Sequence, residues 1–231
     1  MTATLVITRP AAQADRFAAL CRGLIGPDLP VLIAPVVDIK AEPLSVELAQ
    51  FDWLIVTSQA AIQSLTWPEN LPRLPIWAVG PRTAEAARAA GFVAHDGGGD
   101  AAALIATIIA ARPSGRLLHL HGAETRGRVA EHLRAAGLSV TACVAYRQND
   151  VSLAPKALRV LHGVGPIILP IFSARSAQRL LAYYPTAPCR VVAISEAVAG
   201  VWPDTYGEIT ITGAPTAIAM AQSIAALYDG G

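Results

Sequence analysis

Short, nearly continuous apolar runs recur along the chain, each followed by a stretch of helical period, and this alternation constrains the fold more than any other feature. Candidate strands are Thr4 to Thr8, Val31 to Pro35, Trp53 to Thr57, Ile76 to Val79 and Leu117 to His121. Four more are Ser139 to Ala145, Pro166 to Phe172, Arg190 to Ile194 and Glu208 to Thr212. Helix-period stretches lie at Gln13 to Gly23, Ala60 to Leu65, Arg82 to Ala90, Ala101 to Ala111, Arg128 to Ala136, Ala174 to Tyr183 and Thr216 to Leu227. Strands without polar alternation are strands buried on both faces, so the pattern predicts α/β architecture with parallel sheets covered by helices on either side. Nine strands in 231 residues suit two small sheets better than one large one.

The chain also reads as though written twice. DWLIVTSQAAIQSL, from Asp52 to Leu65, resembles PIILPIFSARSAQRL, from Pro166 to Leu180, and their serines Ser58 and Ser173 stand 115 positions apart. The same offset relates Ala78-Val79-Gly80 to Ala193-Ile194-Ser195 and Leu104-Ile105 to Ala219-Met220. A looser match joins the initial TLVITRP unit to RLLHLHG. The expectation is an internal repeat of a short unit and a long unit. Periodicity leaves open whether each short unit pairs with the long unit that follows it or with the other one.

Composition removes several function classes. With 18 basic and 17 acidic residues the net charge is +1, and no dense Lys/Arg cluster occurs, so nucleic acid is not an expected partner. No apolar run approaches the ~20 residues that cross a bilayer, and the strand-like start shows no basic leader, so the protein reads as soluble and cytoplasmic. Cys21, Cys143 and Cys189 are far apart and lack CxxC spacing, which fits small core hydrophobes better than a disulfide or zinc site. His119 and His121 share one strand face, but no Asp, Glu or Cys lies at ligand spacing, so no metal is expected.

In parallel α/β sheets the chemistry gathers where strand carboxyl ends lead into helices. Four such turns are Thr57-Ser58-Gln59, Gly80-Pro81-Arg82-Thr83, Phe172-Ser173-Ala174-Arg175 and Ile194-Ser195-Glu196. Their hydroxyls can cap helices, contributing about 1 kcal/mol each. Their backbone N–H groups could instead receive an anion without lysines, and two domains aiming such ends into one cleft could hold a molecule with many carboxylates. None is a nucleotide fingerprint: Thr8-Arg9-Pro10-Ala11 lacks GxGxxG, no GxxxxGK[ST] occurs, and Gly97 to Gly99 matches neither. Arg126 and Arg128 could grip a carboxylate as a pair, or form part of a solvated loop. Tyr146 closes the strand Val140 to Ala145. On the residues alone a structural role is favoured over that of a proton donor.

VITRP, APVVDI, DWLIVTSQAAI, WAVGPRTAEAARAAGF, LHLHGAETRGRVAEHLRAAGLSVTACVAYR, PIFSARSAQRL and AISEAVA, taken in order, resemble the uroporphyrinogen-III synthase family over nearly the whole chain. The resemblance implies two flavodoxin-like domains joined by a two-stranded crossing, 1–37 plus 151–231 and 38–150. It implies a cofactor-free lyase of heme biosynthesis that cyclises hydroxymethylbilane to uroporphyrinogen III, inverting ring D through a spirocyclic intermediate; nothing in the sequence demands more than a monomer. By residue, it implies that Tyr146 assists departure of the hydroxyl, and that Thr83, Ser58, Ser173, Ser195 and Arg9 meet the substrate. A transient contact with the preceding pathway enzyme is the one protein partner it raises. Some members carry a threonine where this chain has Val198, which favours backbone amides over hydroxyls at that turn. A non-catalytic two-domain small-molecule binding or sensor protein would share the same turns, since fold does not set function. A nucleotide-sugar transferase would need a diphosphate-gripping Arg/Lys pair or an acidic sugar motif, and neither is found.

Overall fold

The computed structural model describes residues 2–124 and 128–229. In chain order the elements begin β1 (Thr4–Ile7), α1 (Ala11–Ile25), β2 (Val31–Ile33), β3 (Val37–Ala41), β4 (Trp53–Val56), α2 (Gln59–Gln63), β5 (Ile76–Ala78) and α3 (Pro81–Ala89). They continue with β6 (Ala94–Asp96), α4 (Ala101–Ala111), β7 (Arg116–Gly122), α5 (Val129–Ala135), β8 (Ser139–Asp150) and α6 (Pro155–Leu161). The last are β9 (Ile167–Ile171), α7 (Ala174–Leu181), β10 (Cys189–Ala193), α8 (Glu196–Ala199), β11 (Glu208–Ile211) and α9 (Ala217–Asp229). The chain divides into two compact units, Met1–Asp38 with Asn149–Gly231, and Ile39–Gln148.

The first unit carries a sheet of order β11-β10-β9-β1-β2, in which every recorded pairing is parallel. Alternate residues go to opposite faces, as the pleat requires. Val6, Leu169, Ile171, Val191 and Ala193 join one core with Leu161, Leu180 and Trp202. Leu5, Ile7, Ile168 and Val192 join another with Phe17, Met220 and Ile224. This double coverage is why the strands read as unbroken apolar runs. Pro170, which cannot donate to a ladder, sits within β9 where β10 continues to Ile171 but β1 is in register only at Ile167 and Ile168.

The second unit is organised around the order β3-β8-β7-β4-β5-β6. Leu54, Val56, Ile76, Ala78, Leu118 and Leu120 face one core, and Ile55, Trp77 and Leu117 face the other. Helix α4 shows how local sequence selects its place. Asp100 caps it by accepting from Ala103 N at 2.8 Å, and Leu104 and Ile108, one turn apart, are fully buried. Burying each of these side chains stabilises by roughly 1.5–3 kcal/mol.

All nine expected strands form. The first sheet has five strands and the second six, with β3 at the edge of the second beside β8. The first short segment pairs with β9 rather than β4, which pairs with β7. β8 runs past its expected end at Ala145 to Asp150, with β3 as its outer neighbour in the sheet. α6 was not expected, whereas α8 begins at the expected Ser195-Glu196 helix entry. Each is short, seven and four residues, and α6 opens with Pro155 at its first position.

Candidate active site

In the second unit three of the expected residues lie at the carboxyl edge of the sheet. Ser58 follows β4 and caps α2, its Oγ accepting from Ala60 N at 3.1 Å. Gln59 then donates through Nε2 to Arg82 O at 3.0 Å, tying this turn to the Gly80–Thr83 turn that follows β5. Thr83 is buried at 6% exposure on the first turn of α3. Gly80 packs so closely on the backbone of Gly99 that an added Cβ would lie 3.0 Å from its Cα. The glycine cluster therefore serves to bring the β5 and β6 turns together.

Tyr146 is corrected in position: it lies within β8, not at its end. It is nonetheless level with the carboxyl end of β7, where a register shift after His121 sets Gly122 opposite Tyr146. The Tyr146 ring occupies the space a Gly122 side chain would need, with a Cβ falling 2.7 Å from Cζ and 2.9 Å from Oη. Tyr146 is 8% exposed and packs into the core, while Gly122, Ala123, Glu124, Tyr146 and Gln148 line a pocket of about 100 Å³. A buried ring whose phenol borders a polar pocket can donate a hydrogen bond there.

The first unit holds the other three. Arg9, just past β1, places its guanidinium carbon 4.0 Å over the Phe172 ring and donates to Gln13 Oε1 from Nε (3.2 Å) and Nη2 (2.8 Å). Ser173, just past β9, caps α7 by accepting from Ser176 N at 3.1 Å and donates to Ser176 Oγ at 2.9 Å. Ser195, just past β10, precedes α8 without a side-chain cap bond. Capping thus occupies Ser58 and Ser173 but not Ser195. Val198 is buried in the core, which removes it from any polar contact.

Sequence reasoning named Phe172 only as part of its turn, gave no role to Gln13, and did not foresee a charged cluster in which Arg175 and Arg179 both pair with Asp150, at 3.0 and 3.3 Å. The available signals were the Arg9–Gln13 spacing of one helical turn and the phenylalanine directly before Ser173. Of the two arginines in the loop after β7, Arg126 lies outside the described residues and Arg128 pairs with Glu131.

His119 and His121 do share a face, their rings 5.1 Å apart. His121 Nδ1 lies 2.8 Å from Gly122 O, and since a carbonyl only accepts, that nitrogen carries the proton. His119 is buried with no hydrogen-bond partner for Nε2 among the described residues. Burial, with the charges of His121 and Arg134 adding to it, pushes its pKa down from 6.5 to about 4. Among the described residues no group of three or more His, Cys, Asp or Glu is placed to hold a metal ion. Cys21, Cys143 and Cys189 are free thiols, and burial pushes Cys21 and Cys189 up to about 12, so both stay protonated at neutral pH. Among the described residues no helix is long and apolar enough to cross a membrane.

Two α/β units, each built on a mainly parallel sheet with polar residues in the turns at its carboxyl edge, define a two-domain α/β protein. The family model described as uroporphyrinogen-III synthase HemD matches residues 22–204. The crystal structure of uroporphyrinogen-III synthetase from Helicobacter pylori 26695 aligns at TM-score 0.70 and 18% identity, covering 97% of this chain and 99% of that one, and shares its fold. A mutant uroporphyrinogen III synthase from the extremely thermophilic bacterium Thermus thermophilus aligns at 15% identity over 99% and 100% of the two chains, with a TM-score of 0.49 too low to carry weight. A search among curated proteins gives no significant match. The chain belongs to the uroporphyrinogen-III synthase family, cyclising lyases of tetrapyrrole and heme biosynthesis.

Proposed function

We propose that the chain closes hydroxymethylbilane into uroporphyrinogen III, inverting ring D and releasing one water, with Tyr146 as the proton donor. The observation that carries the site is the Tyr146 phenol bordering a small polar pocket at the carboxyl end of β7. The phenol hydrogen-bonds the leaving hydroxyl. As that C–O bond breaks, the adjacent pyrrole nitrogen pushes its electron pair toward the carbon, and the oxygen leaves as water. The substituted α-carbon of ring D attacks the resulting azafulvene to form a spirocycle. Fragmentation and reclosure invert the ring, and the proton lost as the pyrrole is restored returns to the Tyr146 phenolate left when the hydroxyl departed as water.

The pyrroles supply the electrons, so the protein's task is geometric: it must hold a flexible chain against direct closure. Orientation of this kind can contribute about 7–11 kcal/mol in favourable cases. Arg9, with its guanidinium held at the carboxyl edge of β1, is the carboxylate partner in this reading, and the Ser58, Thr83, Ser173 and Ser195 turns complete the contacts. The reading treats 1–37 with 151–231 and 38–150 as the two domains of a cytoplasmic monomer, to which the preceding enzyme hands its product transiently. The non-catalytic binding protein is set behind it by the family match.

Tyr146→Phe tests the assignment. It slows turnover by roughly 10–100-fold, the lower part of the range for a positioned proton donor, while KM changes little. Turnover at the wild-type rate would reduce Tyr146 to a packing residue.

A further inference from the structure

Resting on the reading of Arg9 as a carboxylate partner, we infer that Phe172 and Gln13 are positioning residues that preset its guanidinium before substrate arrives. An arginine side chain is long and flexible, and one left mobile must be ordered at the moment of binding, which weakens affinity. Here two contacts remove separate freedoms. The Phe172 ring, 4.0 Å below the guanidinium carbon, fixes the plane of the group. Gln13 Oε1, accepting from both Nε and Nη2, fixes rotation within that plane.

The platform is itself held. Phe172 meets Phe17 edge to face, with centroids 5.0 Å apart and planes at 84°, and Phe17 is 2% exposed in the core. Gln13 lies on the first turn of α1, one turn from Arg9. Phe172 sits between the end of β9 and Ser173, so the ring that seats the cation directly precedes the turn expected to meet substrate. A planar, delocalised guanidinium stacks on a ring in a way a compact ammonium does not, so the arrangement specifies arginine.

A double-mutant cycle with hydroxymethylbilane as substrate tests the inference. Arg9→Ala raises KM roughly tenfold or more, as expected for losing a charge-assisted contact. Phe172→Leu raises KM roughly 2- to 5-fold with kcat nearly unchanged, the range for a half-exposed cation–π contact. Phe172→Tyr restores the wild-type KM, and Phe172→Leu adds nothing in the Arg9→Ala background. An equal effect of Phe172→Leu in both backgrounds would mean that the ring acts through packing alone, and would overturn the inference. So would a tyrosine no better than leucine. If instead Arg9→Ala leaves KM at its wild-type value, the underlying reading of Arg9 falls, whatever Phe172 does.

Discussion

His119→Leu should flatten the acid limb of the stability profile. In the folded chain the His119 pKa lies near 4 because burial disfavours the imidazolium, whereas the unfolded chain returns it to 6.5. Between those values the unfolded state binds more protons, so stability rises with pH. The contribution is present in full above 6.5 and is lost as pH falls from there to about 4. The whole gap corresponds to about 3 kcal/mol, of which about 2 kcal/mol goes between roughly pH 7.5 and pH 5. At the upper pH leucine is neutral to stabilising, because His119 Nε2 has no hydrogen-bond partner among the described residues. Urea unfolding followed by tryptophan fluorescence reads the right unit, since Trp53, Trp67 and Trp77 lie with His119 in Ile39–Gln148. The advantage of His119→Leu over wild type should grow by about 2 kcal/mol across that interval. Parallel profiles for the two proteins would refute the argument from burial.

Gly122→Ala should cut turnover at least as far as Tyr146→Phe while costing about 1–3 kcal/mol in unfolding, because the new methyl meets the Tyr146 ring; unaltered turnover would show that the phenol is not needed where it sits. Ser58→Ala and Ser173→Ala should each lose about 1 kcal/mol of stability with their cap bonds, measured by urea unfolding. Ser195→Ala makes no such loss and should act only on KM, so a destabilisation as large as the other two would place its hydroxyl in the fold rather than the site.

The fold was legible where burial on both faces imposed one kind of residue. Thr4–Ile7, Trp53–Val56 and Ile167–Ile171 could be read to within a residue or two because no polar position interrupts them. β3 was named only through the family motif APVVDI, since Val37–Ala41 is partly exposed and carries Asp38 and Lys40. The overrun of β8 was hidden for a related reason: Arg147 to Asp150 is polar, and is strand because β8 has an outer neighbour in β3. The strand ends marked the turns at Ser58, Gly80, Ser173 and Ser195, each of which precedes a helix. Tertiary geometry decided the rest. The seat of Tyr146 depends on a register shift opposite Gly122, and Arg9 meets Phe172 although the two are far apart in the chain. The shared face of His119 and His121 follows from their spacing, but the missing partner of His119 follows from its surroundings.

The most direct test is the isomer formed. Freshly generated hydroxymethylbilane is mixed with the purified protein, and the oxidised products are resolved as type I and type III uroporphyrin. Product that is predominantly type III, above the control without protein, is the outcome expected of ring-D inversion. Type I product alone, at the spontaneous rate and from a folded protein, would contradict it.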